Sequence, residues 1–372
     1  MHYPTQTAGT SGEPRVPLLH CGMHNQAIAI VDDVRFDAHT DPYGQHPECP
    51  ERLLAARQGL YGRVPEPERA HVAVRPATPA ELQRMHTAQY LASLDERLRG
   101  GYGELDADTY FSPGTREAAF LAAGGAIDLT KQLLRGAATR GIALLRPPGH
   151  HAVAATSMGF CVFNNVALAA SEALAQGLQR VAIVDWDVHH GNGTQDMFYD
   201  DPRVLFVSLH QYPFYPGTGA AHENGRGPGA GYTANLPLPA GCGDEVYGEA
   251  FRKVVLPVLK AFQPELLLVS AGFDAHARDP LASMQLSSAM YCAMAGALLD
   301  VVDGLGHGRI GFLLEGGYDL QAIEASVAQV ARAIRGERIE LAQGAIPERA
   351  ELAIDASRRA LGGRWPQLMA AD

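Results

Sequence analysis

The run Val181-Ala182-Ile183-Val184 leads directly into Asp185-Trp186-Asp187-Val188-His189-His190-Gly191-Asn192. An apolar, largely β-branched stretch without polar alternation predicts a strand covered on both faces, as parallel strands are. The acids and imidazoles that follow place chemistry at its carboxyl end. Further runs share this character: Ala27–Val31, His71–Val74, Ile142–Leu145, Val204–Leu209, Leu266–Ser270 and Ile310–Leu314. Between them, the alanine-rich stretches Ala118–Arg135, Asn165–Gln176, Asp244–Phe262 and Ser287–Val302 predict helices. Such alternation predicts an α/β fold, a central, mostly parallel sheet flanked by helices. No internal repeat and no long linker divides the chain, so a single domain is expected, with helices beyond Gly316 closing over the sheet.

In doubly wound sheets, ligands bind beyond the carboxyl ends of the strands. Ile142–Leu145 runs into Arg146-Pro147-Pro148-Gly149-His150-His151, and Val204–Leu209 into His210 and the aromatic Tyr212-Pro213-Phe214-Tyr215. Leu266–Ser270 gives Ala271-Gly272-Phe273-Asp274-Ala275-His276, and Ile310–Leu314 gives Glu315-Gly316-Gly317-Tyr318-Asp319. Several strands therefore deliver His, Asp and Tyr to one edge of one sheet.

Composition narrows the function classes. The 372 residues are 47% hydrophobic and 19% charged, which supports a substantial core and excludes a disordered chain. A formal charge of −11, with Lys131, Lys253 and Lys260 as the lysines, opposes nucleic-acid binding. No apolar run reaches the roughly 20 residues of a membrane span. Met1–Pro17 is Thr/Gly/Pro-rich and lacks the apolar stretch of a secretory signal; residues 1–18 are expected to be flexible. Cys21, Cys49, Cys161, Cys242 and Cys292 are scattered without a CxxC pair, which fits a reducing cytoplasm better than a disulfide framework.

Asp187 and His189 are two apart at a strand end, so both point to one face. With Asp274 from another strand they form a carboxylate–imidazole–carboxylate set, three protein ligands with a position left open, as in a catalytic zinc site. Fe²⁺ or Co²⁺ would also be accepted. Taken alone, Asp-x-His would read as helix capping; the other strand ends turn the reading. His150 and His151 follow a rigid Pro-Pro-Gly turn and can divide acid and base roles, with Asp185 holding one tautomer. Tyr318 follows two glycines, so its loop is expected to move and its hydroxyl to reach inward.

These residues resemble the zinc-dependent histone deacetylase family and its arginase–deacetylase fold. The motifs are Pro147-Pro148-Gly149-His150-His151, Gly159-Phe160-Cys161-Val162-Phe163-Asn164-Asn165, Asp185 through Thr194, Pro216-Gly217-Thr218-Gly219, Ser270 through His276, and Glu315-Gly316-Gly317-Tyr318. Asn192 and Asp279-Pro280-Leu281 resemble the class II branch, whose bacterial members are called histone deacetylase-like amidohydrolases. The resemblance runs from about Asp37 to Arg335 and implies one deacetylase catalytic domain, 19–372. It implies Zn²⁺ on Asp187, His189 and Asp274, His151 as general base and acid, His150 as its electrostatic partner, and Tyr318 as oxyanion donor. Gly159, Phe160, Phe214 and Tyr215 would wall the substrate channel. Structural K⁺ is implied at Asp185, Asp187, His189, Ser208 and Leu209, and again at Phe198, Asp201, Val204 and Tyr232. Class I members carry an Asp where this chain has Asn192, which leaves His151 less basic.

The implied reaction is metal-dependent hydrolysis that removes acetyl, or other acyl, groups from lysine side chains in proteins or peptides. A small acetylated amine is the competing substrate: acetylpolyamine deacetylases carry an acidic gatekeeper, and the matching position here is the apolar Leu281. A binuclear ureohydrolase is disfavoured, because Gly191 and His276 stand where its bridging acids would fall. A non-catalytic acetyl-lysine reader would need no His pair or Tyr318. Asp106 and Asp108 are candidates for the channel mouth. Gly306–Gly311 precedes its strand and reads as a turn rather than a dinucleotide fingerprint, and Gly225–Gly231 lacks a P-loop lysine. Assembly into homo-oligomers stays open, and no membrane partner is expected.

Overall fold

The computed structural model describes residues 27–370; the expected flexible segment 1–18 and Cys21 lie outside them. Among the described residues, ten segments form strands: β1 (Ile28–Val31), β2 (Arg69–His71), β3 (Gly103–Glu104), β4 (Tyr110–Phe111), β5 (Arg140–Ala143), β6 (Val181–Asp185), β7 (Val204–Gln211), β8 (Thr233–Leu238), β9 (Leu266–Ala271) and β10 (Ile310–Leu314). Eight of them form one sheet in the order β2-β1-β5-β10-β9-β6-β7-β8. Every pairing in it is parallel. β3 and β4 make a separate antiparallel ribbon. Each residue of β1, β6, β7, β9 and β10 is buried, as expected of strands covered on both faces.

Helices close the sheet. Thr115–Arg135 packs on Asn165–Ala175, and Leu320–Ile334 packs between Glu51–Tyr61 and Ser288–Gly304. The Leu320–Ile334 helix buries Ile323, Val327, Val330 and Ile334, a stripe at helical spacing. Asp319 caps its start by accepting from the Ala322 N–H. The expected closure beyond Gly316 is completed by Glu348–Leu361, which packs on β8. Among the described residues, no helix is long and apolar enough to cross a membrane.

Some elements differ from the sequence expectation. The second strand is Arg69–His71 rather than His71–Val74, because β1 ends at Val31 and pairs as far as Ile30↔His71. β5 starts earlier than expected, at Arg140, in register with Ile310 of β10. The stretch Asp244–Phe262 is not one regular helix; a π-turn at Phe251–Val255 precedes Pro257, which has no N–H to donate. β8 was not anticipated: Asn235 and Pro237 interrupt its apolar character, and proline is tolerated because β8 is an edge strand.

Candidate active site

Because the strands are parallel, their carboxyl ends share one edge. β6 and β9 are neighbours in register at Asp185↔Ser270, so the residues that follow them meet. One ligand atom each from Asp187, His189 and Asp274 lies within 4.8 Å of the other two. His189 Nδ1 is 3.2 Å from Asp187 Oδ1 and 3.2 Å from Asp274 Oδ2. Both carboxylates are fully buried, and among the described residues their salt-bridge partners are histidines. Burial and the charge of Asp187 push the Asp274 carboxyl up to about 7. Burial opposes charge on His189, yet Asp187 and Asp274 push it up to about 10. Two buried acids facing one imidazole are an anion-rich set that a divalent cation would balance. The donors, two carboxylate oxygens and one imidazole nitrogen, match Zn²⁺ with a position to spare.

Bare main chain lets these carboxylates sit where they do. A Cβ on Gly272 would stand 2.1 Å from Asp187 Oδ2, and one on Gly316 would stand 2.2 Å from Asp274 Oδ2. The Gly316 N–H donates to Asp187 Oδ2 at 2.8 Å. The glycines before Tyr318 therefore serve close approach, and Gly317, at φ 114, serves the chain's turn. The expected loose loop is instead held. Tyr318 N donates to Asp279 Oδ2 at 2.6 Å, and the Arg52 guanidinium lies 4.9 Å from the Tyr318 ring centre. Burial keeps the Tyr318 phenol well above its ordinary range, so it is a protonated donor.

The tandem imidazoles, 4.0 Å apart, have opposite character. His150 Nδ1 lies 2.9 Å from Asp185 Oδ2. Burial resists charge on His150, but Asp185 and Asp187 outweigh it and hold the ring well above its usual pKa. Burial and then the charges of His150 and His189 hold His151 well below. His151 Nδ1 lies 2.8 Å from Asn192 Oδ1, while Asn192 Nδ2 faces His151 O and Met158 Sδ, each at 3.4 Å. A carboxamide oxygen only accepts, so His151 carries its proton on Nδ1 and keeps a lone pair on Nε2. That is the state a general base needs.

A cavity of about 250 Å³ joins these groups, lined by His150, His151, His189 and Tyr318. The expected wall residues Gly159, Phe160, Phe214, Tyr215 and Leu281 all line it as well. Phe214 stacks on His189 with ring centres 5.4 Å apart, and Tyr215 meets His151 edge-on at 5.1 Å. Gly159 (φ 58) lies flat on the His151 ring, where a Cβ would stand 2.4 Å away. Of the two rim acids, Asp108 lines the cavity and accepts from Gly159 N at 3.0 Å. Asp106 does not line it and accepts from Asp108 N.

The expected potassium residues are brought together unevenly. Asp185 pairs in register with Ser208, next to Leu209. Phe198, Asp201 and Val204 share a turn: Asp201 N donates to Phe198 O, and Val204 N to Asp201 O. There, however, the Asp201 carboxylate pairs with Arg203, and the Tyr232 ring lies under Arg364.

Residues without an assigned role in the sequence reading surround the site. Glu48 is fully buried between Arg52 and Arg146, accepting from Arg52 Nη1 at 2.8 Å and from Arg146 Nη2 at 2.8 Å. Arg52 Nε also donates to Gly317 O at 2.6 Å. Asp279 ties Tyr318 to the rim, since its Oδ1 accepts from Leu281 N at 3.0 Å. Glu315 was visible only as part of a motif.

Residues 46–334 match the family model described as the histone deacetylase domain. Histone deacetylase 15 of Arabidopsis thaliana is 43% identical over 300 residues, covering 79% of this chain and 54% of that protein. Polyamine deacetylase HDAC10 of Homo sapiens is 40% identical over 346 residues, covering 88% of this chain and 51% of that protein. The chain spans about half the length of these relatives. The crystal structure of the HDA15 HD domain superposes with a TM-score of 0.87 and 38% identity, over 93% of this chain and 97% of that one.

Proposed function

The chain belongs to the histone deacetylase family, and from that premise we propose that it is a zinc-dependent amidohydrolase removing acetyl groups from lysine side chains. The observation that carries this reading is geometric: one cavity is lined by His151, Tyr318 and His189, and His189 belongs to the Asp187–His189–Asp274 cluster.

Asp187, His189 and Asp274 would hold zinc, which when bound would supply Lewis acidity toward water and an amide carbonyl. His151 Nε2 takes the proton of the attacking water and returns it to the leaving amine. His150, charged and held by Asp185, keeps His151 neutral beforehand. Tyr318 donates to the oxygen that becomes negative, a contact made fully only in the transition state. K⁺ at Asp185, Asp187, His189, Ser208 and Leu209 belongs to the same reading, supported by the Asp185↔Ser208 register.

The walls fit an acylated lysine. Each of its four methylenes gains about 0.8 kcal/mol when buried, and Phe160, Phe214 and Tyr215 offer the apolar surface. The neutral acetamide is desolvated cheaply, whereas the ammonium product is costly to hold, which favours release. A second reading, acetylpolyamine hydrolysis, is favoured by the 40% identity to a polyamine deacetylase. The apolar Leu281 at the cavity speaks for acetyl-lysine. The four described cysteines are free thiols, which fits a reducing compartment such as the cytoplasm.

The test is turnover of acetyl-lysine peptides against acetylspermidine and acetylputrescine, with zinc loaded and with zinc chelated. Faster hydrolysis of the peptides, lost on chelation and restored by zinc, is expected. Faster acetylpolyamine turnover would transfer the function to the second reading. Binding without hydrolysis of any of them would make the chain a reader.

A further inference from the structure

We propose that Glu315 is a positioning residue, a clamp that sets the backbone carrying Tyr318 against the turn carrying His150 and His151. Glu315 directly follows β10 and is buried. Its Oε2 accepts from Gly149 N at 2.7 Å and from His150 N at 3.1 Å. Its Oε1 accepts from Ser270 Oγ at 3.1 Å, on β9. Its own carbonyl accepts from Arg52 Nη2. One side chain thus joins the ends of three strands, β5, β9 and β10.

The position gives the clamp its consequence. Gly149 and His150 belong to the turn whose next residue is His151, and Tyr318 lies three residues beyond Glu315. Neither of the two N–H groups has another acceptor among the described residues. Removing the carboxylate would leave two buried donors unsatisfied, and the turn would move to find partners. Glu315 does not line the cavity, so it acts through His151 and Tyr318 rather than on substrate. The inference rests on the roles proposed for those two residues.

The experiment compares the zinc-loaded full chain with E315A, E315Q and E315D. Three readouts apply: kcat and KM on an acetyl-lysine peptide, zinc content, and hydrogen exchange at the Gly149 and His150 amides. A displacement of about 1 Å costs roughly 100-fold in rate, so E315A is expected to lose about 100-fold in kcat with KM and zinc content unchanged. E315Q is expected to stay within about threefold, because its amide oxygen accepts the same two N–H groups and its NH₂ can donate to Ser270 Oγ. If E315A does not fold, E315D decides: it keeps the carboxyl group, loses the reach, and is expected to lose kcat where E315Q does not. Wild-type kcat in E315A or E315D, or equal damage in E315Q and E315D, would overturn the clamp. A wild-type chain without deacetylase activity would sink the functional reading alone. The clamp is then decided by exchange, expected to be about tenfold faster in E315D and overturned if unchanged.

Discussion

Replacing Asn192 by Asp tests the acid–base assignment at its most exposed point. Asn192 Oδ1 sits 2.8 Å from His151 Nδ1, so a carboxylate there would place a full negative charge about 4 Å from the ring centre. At an effective dielectric of about 20 that attraction is about 4 kcal/mol, or about 3 pKa units at 1.36 kcal/mol each. Burying the new carboxylate takes part of this back, leaving a rise of about 1–3 units. The sign follows from the role. His151 works as a base only when neutral, and burial with the neighbouring His150 charge holds its pKa well below the usual value. Raising that pKa protonates the base at higher pH, so the acid limb of kcat/KM moves up by the same 1–3 units or so. The assay is a pH–rate profile on a peptide without titrating groups, beside N192A, which removes the acceptor without adding charge. An acid limb that stays put in Asn192→Asp, or rises equally in N192A, would refute the assignment.

Tyr318→Phe should retain zinc yet lose about 2.7–4 kcal/mol of transition-state stabilisation, roughly 10²–10³ in kcat; steady-state kinetics with metal analysis reads it, and full activity ends the oxyanion role. Leu281→Glu should shift the preference for acetylspermidine over acetyl-lysine peptide about fivefold upward, since an exposed ion pair is worth about 1 kcal/mol or less; an unchanged ratio would remove Leu281 from the specificity argument. Glu48→Ala would strand the buried guanidiniums of Arg52 and Arg146 and should cost about 3–5 kcal/mol in urea unfolding. A loss under about 1 kcal/mol would mean that the two arginines find other partners.

What could be read in the sequence was local. Val181–Val184 followed by Asp185, Asp187 and His189 announces a buried strand with chemistry at its end, and the same pattern located Asp274 and Tyr318. The wall residues rested on resemblance, and the cavity collects them. The supporting groups were not legible, because their meaning lies between distant segments. Glu48, Arg52 and Arg146 look like ordinary surface charges until the fold buries Glu48 between the two guanidiniums, one from helix Glu51–Tyr61 and one from the segment after β5. Glu315 stands beside two glycines that draw the eye, yet its partners are the amides of Gly149 and His150. Gly316 suggested mobility because glycine means both freedom and closeness, and only the neighbouring carboxylates decide which. β8 was hidden by Asn235, whose Nδ2 donates to Gln195 Oε1 and to the Glu223 carbonyl, a use that polarity alone does not signal.

The strands that bear the chemistry, β5, β10, β9, β6 and β7, are consecutive in the sheet, and β2, β1 and β8 fence them on either side. Fraying at a sheet's margin is cheap, while breaching its middle approaches global unfolding. The groups that line the cavity are therefore insulated from the breathing of the molecule, and in the proposed function an acyl arm would reach them through its mouth. Selectivity in such a design falls to the short loops around that opening, which can vary without disturbing the floor beneath.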